Sequence, residues 1–208
     1  MKPICFFFLI FICAFSASGQ FYYKDIIATR DLMKKQQDYR KNSVKAVDYA
    51  SFDANNTPIE GFSCQQIVST DFSSIKTVTK TTLSGTSEST SWYNQKGQLI
   101  KSVDTADGSR TNTEYSYDAA NRLISISGIS LSPGQASNHE QHLWFYNQQG
   151  KPERALKIKN AIDTTYISFV LDEKGNVAEE KSVRKNQSLP TIYYYYDEDN
   201  LLTDIVRY

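Results

Sequence analysis

Cysteine is nearly absent from this chain. Of its three cysteines, Cys5 and Cys13 lie in an apolar N-terminal run and only Cys64 lies beyond it. A single cysteine makes no internal disulfide, so the rest of the chain must be held by packing. It is long enough to build a real core. Cys64 is expected as a small apolar residue of the interior, rather than a reactive thiol or a link to another chain. An excess of charge of either sign is also missing, with 23 basic and 23 acidic residues. That balance argues against nucleic acid or an anionic membrane surface as the main partner. No segment has the length of apolar sequence that a membrane-spanning helix needs. The glycines are scattered, so no phosphate-cradling loop is present.

The first nineteen residues have the pattern of a secretory leader. Lys2 supplies the positive end, Ile4 to Phe15 the apolar stretch, and Ala17-Ser18-Gly19 the small residues of a cleavage site before Gln20. Ile10-Phe11-Ile12 place no small residue beside Cys13, which argues against a lipid anchor. The expectation is an exported protein, periplasmic or extracellular at the cell surface, without a membrane span. Residues 20–58 form a helical segment and linker. From Phe21 to about Val47 the apolar positions Ile26, Ile27, Leu32 and Met33 have helical spacing among many charged residues, and "FDANNTPIEG" is rich in turn formers. Residues 59–208 change character: Thr, Ser, Val, Ile and aromatic residues alternate between Gly and Asn breaks, as in an all-β region.

Within that region one frame recurs. "WYNQKGQL", "YSYDAANRL", "WFYNQQGKP", "FVLDEKGNV" and "YYYDEDNLL" each contain an apolar residue, Asp or Asn, two free positions, Gly or Asn, one free position and usually Leu or Val. The Asp/Asn positions are 94, 118, 147, 172 and 197, with spacings of 24, 29, 25 and 25. The wide interval contains the extra loop "LSPGQASN". This is an internal repeat. Its Asp or Asn can accept hydrogen bonds from amides ahead of it, and the Gly or Asn three residues on can adopt the left-handed conformation that closes a hairpin. Residues one and three before the Asp/Asn share a sheet face. Tyr115 with Tyr117, Trp144 with Tyr146, Phe169 with Leu171 and Tyr194 with Tyr196 should form an apolar stripe. Opposite turns are expected in "DTADGS", "KNAID" and "RKNQSLP".

The stretch "YSYDAANRLISIS" resembles the tyrosine-aspartate (YD) repeat of RHS-type proteins. Tyr115, Tyr117, Asp118, Arg122 and Leu123 match its Tyr-x-Tyr-Asp-x-x-Gly-Arg-Leu core, while Asn121 replaces the glycine. The other four copies are looser. The resemblance implies architecture: in large RHS proteins such repeats wind into a β-shell around a toxin or form extracellular spines. Five copies enclose little, so that function is not carried over. The leader and the tyrosine-rich repeats also resemble small exported proteins of Bacteroidota.

The expected fold is therefore mostly β: an N-terminal amphipathic helix over one face or end of a long meandering antiparallel sheet. That sheet should have about eight to eleven strands, built from five YD-like hairpin repeats. Three readings of function are compatible with it. The leading one is a non-enzymatic binding or scaffold module working through its sheet surface, with an unknown protein or polysaccharide as partner. The second is a carbohydrate-binding protein whose exposed Trp92, Trp144, Tyr193 and Tyr195 stack on sugar rings. The third is a piece of a longer RHS-like array. The last segment, Leu201 to Tyr208, stops inside an alternating run, which points to self-association through a C-terminal edge strand. No catalytic, cofactor or metal residues are assigned. His139, Glu140 and His142 fall one residue short of the His-Glu-x-x-His spacing, and in a strand the two imidazoles point to opposite faces. Asp118, Asp172 and Asp197 recur at turns, which explains them without chemistry.

Overall fold

A computed structural model describes residues 21–208; the leader read at 1–19 lies outside the described residues. Among the described residues one helix, α1 (Lys24–Lys41), precedes fourteen strands. They are β1 (Ala46–Tyr49), β2 (Ser63–Val68), β3 (Ser74–Thr81), β4 (Gly85–Tyr93), β5 (Leu99–Ala106), β6 (Ser109–Tyr117) and β7 (Leu123–Leu131). After these come β8 (Asn138–Tyr146), β9 (Pro152–Lys159), β10 (Asp163–Leu171), β11 (Val177–Arg184), β12 (Gln187–Ser188), β13 (Ile192–Tyr196) and β14 (Leu202–Arg207). All pair antiparallel in chain order as one meander, with short β12 joined only to β11. The sheet is wider than eight to eleven strands. Part of the difference lies at its start: Ala46–Tyr49, inside the stretch read as helical, pairs with β2. The hydroxyls of Tyr39 and Tyr49 both reach the side-chain oxygen of Gln66, at 2.8 and 3.0 Å, which fastens that first strand under the helix end.

The five repeats share one turn. In each, the Asp/Asn backbone N–H donates to the carbonyl four residues on, and the N–H three residues on donates back. The carboxylate or amide oxygen accepts further amides, as from Lys96 and Gln98 at Asn94 or Ala120 and Arg122 at Asp118. Gly97, Asn121, Gly150, Gly175 and Asn200 take the left-handed conformation, at φ 61° to 79°. Immediately after each turn the register slips by one residue, leaving Ile100, Ile124, Glu153, Ala178 and Thr203 as bulges. Bulges increase local twist and bend a strand. Five at one margin curl the sheet.

The curl is measurable against the helix. From Tyr22 to Tyr39 the helical segment is about 26 Å long at about 1.5 Å per residue. It contacts β11 and β13 at one end and β2 at the other, a span of about 48 Å in a flat sheet at about 4.8 Å per strand. The sheet therefore wraps around α1. The concave face carries the core: Leu123, Trp144, Ala155, Ile167, Phe169, Val177, Ile192 and Tyr194 gather with Tyr22, and Val68, Ile75, Tyr93 and Leu99 under Leu32 and Met33. Thr29 and Gln36 are the buried helix residues, and the Gln36 amide donates to the Phe72 carbonyl at 2.8 Å.

A sixth turn precedes the five by the same interval. Ser69, 25 residues before Asn94, accepts the Ser74 amide on its hydroxyl oxygen and the Phe72 amide on its carbonyl. Phe72 occupies the left-handed position at φ 61°. This turn holds one more residue, and β2 and β3 pair without a bulge.

Candidate binding surface

Two devices lock each repeat to the next. The tyrosine before the Asp/Asn donates its hydroxyl to a backbone carbonyl of the preceding repeat: Tyr117 to Leu99, Tyr146 to Leu123 and Tyr196 to Val177, at 2.8, 2.6 and 3.0 Å. The fourth repeat has Leu171 there and lacks the bond. The second device is the side chain four residues after the Asp/Asn. Gln98 reaches Asn121 and Asn176 reaches Asn200 as amide pairs. Arg122 and Lys151 instead lie across Gly150 and Gly175, where an added Cβ would approach them to 3.4 and 3.3 Å. An amide is thus matched with Asn, and a long cation with Gly.

These contacts decide the role of the tyrosine cluster. Tyr194 is 4% exposed and packs edge-on against Tyr23 of the helix segment; Tyr194 and Tyr196 are wall. Trp144 is wall too: it is 3% exposed and stacks on Phe169 at 5.3 Å with 8° between planes. The expectation that Trp144 faces a ligand is thereby corrected, because its place three residues before Asn147 puts it on the concave side. Trp92, one residue out of that phase, is half-buried on the convex face beside Lys101. Tyr193 and Tyr195 are convex as well, Tyr193 half-buried against Tyr208 and Tyr195 exposed. With Glu179, Asp172, Lys174 and Asp197 they line a cleft of about 500 Å³.

The rest of the convex face has a pattern that sequence reading missed. Leu143 pairs with Leu156, Leu156 with Tyr166, and Tyr166 with Val183. Directly opposed residues lie on one face, so four apolar side chains form a row across β8 to β11. Tyr166 is 61% exposed. The helix covers the other side. The signal was available in the alternation, since each of the four is adjacent in sequence to a buried concave residue: Trp144, Ala155, Ile167 or Ser182.

On the concave face the structure gathers two charged groups under the helix start. Glu180, 1% exposed, accepts the Tyr22 and Tyr23 amides and the Tyr194 hydroxyl at 2.8 to 3.0 Å. Burial pushes its carboxyl up, and those donors act against the shift. Its carboxylate takes up the two amides that lead into α1, where Tyr23 makes no side-chain capping bond. Beside it, His142 contacts Asp25 of α1 at 2.5 Å and Glu140 at 3.0 Å, and Lys157 reaches Glu140 at 2.9 Å. Burial opposes protonation of His142, but the two carboxylates outweigh it and raise the imidazole to about 9. Glu140 is pulled down to about 2, chiefly by His142. His139 is on the convex face, against the Ser127 hydroxyl. Among the described residues no group of three His, Cys, Asp or Glu is arranged to hold a metal ion. Cys64 is half-buried and accepts the Thr79 hydroxyl at 3.5 Å.

The family model of the RHS Repeat matches residues 93–128. A search of curated proteins returns no match. The matched span runs from Tyr93 through the turns at Asn94 and Asp118 to Gly128 in β7. Over that stretch the chain matches the RHS repeat, and the same turn and bulge geometry recurs in the other copies. Among the described residues no helix is long and apolar enough to cross a membrane.

Proposed function

We propose that the chain is an exported, non-enzymatic binding or scaffold protein that engages a protein partner through the convex face of its sheet. The observation that carries this reading is the row Leu143, Leu156, Tyr166 and Val183 on the face opposite the helix. Apolar side chains aligned across four strands contribute about 25 cal/mol for each Å² that a partner covers. The non-enzymatic reading draws support from the carboxylates at the turns. The Arg122 amide, with its guanidinium, holds Asp118 below the usual carboxylate range, and this acceptor is already engaged by its own turn. Export rests on the leader pattern of residues 1–19.

The test is site-specific photo-crosslinking in the exported fraction. A photoreactive residue at position 166 should yield one discrete adduct, and the same residue at Glu114, a polar convex position, none. Equal labelling at both, or none at 166, refutes the reading.

A polysaccharide is the second reading, favoured by the Tyr193 and Tyr195 cleft. Aromatic rings there can stack on the apolar faces of sugars while Glu179 and Asp197 accept hydroxyl hydrogen bonds. Saturable binding of a soluble glycan, lost in Tyr195→Ala, would select it. The third reading, a piece of a longer array or a self-associating edge, predicts that β14 pairs with another strand. Native mass spectrometry distinguishes a complex from a monomer.

A further inference from the structure

On the concave side a second cleft opens between α1 and the margin formed by the repeat turns, with a volume of about 370 Å³. Pockets of that size take small molecules. Its apolar surface comes from Tyr23, Ile26, Met33, Tyr117, Leu123 and Tyr146. The Tyr117 and Tyr146 hydroxyls are already donated to backbone carbonyls, so these residues present ring rather than polar group. The charged residues lining the cleft are Arg30 from the helix and Arg122 and Lys151 from two successive turns; no carboxylate lines it. Arg122 is matched by Asp118 at 2.7 Å. Arg30 has only its neighbour Asp31, at 3.6 Å with both side chains mostly exposed, and the Lys151 ammonium makes no ion pair among the described residues. Two cations at the rim of an apolar cleft are therefore left without a partner of comparable quality.

We propose that this cleft binds an organic carboxylate with an apolar body, such as a fatty or aryl acid. Its body lies on the tyrosine and aliphatic surface, and its carboxylate is held at the rim by Arg30 and Lys151. The repeat architecture itself places the second cation. Lys151 lies across Gly175 by the same device that sets Arg122 across Gly150, so its stem is directed along the turn margin instead of free in solvent. Guanidinium and ammonium together suit a carboxylate, the first by paired N–H donors and the second as a point charge. This site is on the opposite side of the sheet from the proposed partner surface and is independent of it.

Dodecanoate, dodecanol and dodecyltrimethylammonium, each below its aggregation threshold, form a probe series that varies the head group alone. Titrated calorimetrically into the full chain, dodecanoate is expected to saturate one site and bind at least tenfold more tightly than dodecanol. Lys151→Glu and Arg30→Glu should each weaken dodecanoate tenfold or more, and Arg30→Glu, whose exposed side chain makes no contact between repeats, should leave thermal unfolding unchanged. Lys181→Glu on the convex face should change nothing. Binding to the apolar residues 4–15 would not respond to the cleft variants. The proposal is overturned if dodecanoate does not saturate, or if Lys151→Glu and Arg30→Glu both leave its affinity unaltered. Lys151→Gln provides the milder test should the charge reversal disturb the fold.

Discussion

Raising the pH from 6.5 to 9 should loosen the helix from the sheet, and one imidazole should account for it. His142 faces Asp25 from the helix, Glu140 on its own strand, Lys157 across on β9 and the Tyr22 ring edge-on at 5.5 Å. Its ordinary value of 6.5 is raised to about 9. A group with a raised folded pKa contributes stability that is complete below its unfolded value and disappears as pH climbs through the folded one. The window is therefore 6.5 to 9. At about 1.4 kcal/mol per unit the loss approaches 3 kcal/mol, with little solvent discount because the side chain is only 15% exposed. That is a large part of a typical domain's 5–15 kcal/mol or so. The assay is urea unfolding followed by far-ultraviolet circular dichroism at half-unit pH steps. The series stops at 9.5, because buried tyrosines such as Tyr22, pushed up to about 12 by burial, begin to add their own destabilisation above pH 10. His142→Gln should start less stable at pH 6.5 and lose the slope. A flat wild-type profile across the window, or the same slope in His142→Gln, refutes the reasoning.

Other consequences are simpler to check. Below pH 4.5 the opposite limb appears: Glu140, pulled down to about 2, adds stability that is lost as pH falls through that value, and Glu140→Gln should flatten the acid side of the same profile. Trp144→Ala should cost about 3–5 kcal/mol in chemical unfolding, whereas Trp92→Ala should stay within about 0.5 kcal/mol. Iodide should accordingly quench the emission of Trp92 and spare that of Trp144. Glu180→Ala removes the acceptor of two helix-start amides and one hydroxyl, and should destabilise by about 3 kcal/mol or more; a change under 1 kcal/mol would show that water replaces it. Tyr146→Phe, losing the bond to Leu123, should cost about 1 kcal/mol.

The turns were legible because their requirements are local. An oxygen acceptor and a left-handed residue three positions on are visible as Asp or Asn followed by Gly or Asn, and alternation then places Trp144, Phe169 and Tyr194 inward. What escaped was whatever depends on a distant partner. The Ser69 turn hides because Ser accepts in place of Asp and Phe72 stands where Gly is expected. The stretch 46–49 is only four residues, too short to show a period of its own, and it becomes a strand through its pairing with β2, beside the Gln66 contacts. Glu180 sits in "AEEKSV", which resembles a solvated strand face; phase alone would have set it beside Phe169 and Ile192, its cross-strand neighbours. The helix shows the same limit. Its buried residues are Thr29 and Gln36, chosen by the groove they fill rather than by apolar character.

The two margins of the sheet differ in how much change they accept. Along the repeat-turn margin each side chain at the fourth position rests on the next turn, so inserting a residue in one turn displaces the contact made by its neighbour as well. The opposite margin has contacts of its own, such as Ser109 with Ser132 and His139 with Asn160, yet it is there, around Gly134, that the one longer interval between repeats is taken up. Length variation and grafted sequence should therefore favour the 132–137 connection. A peptide inserted after Gly134, where an added Cβ would meet nothing within 4 Å, would be displayed at that margin while the turns, bulges and helix on the other side keep their spacing.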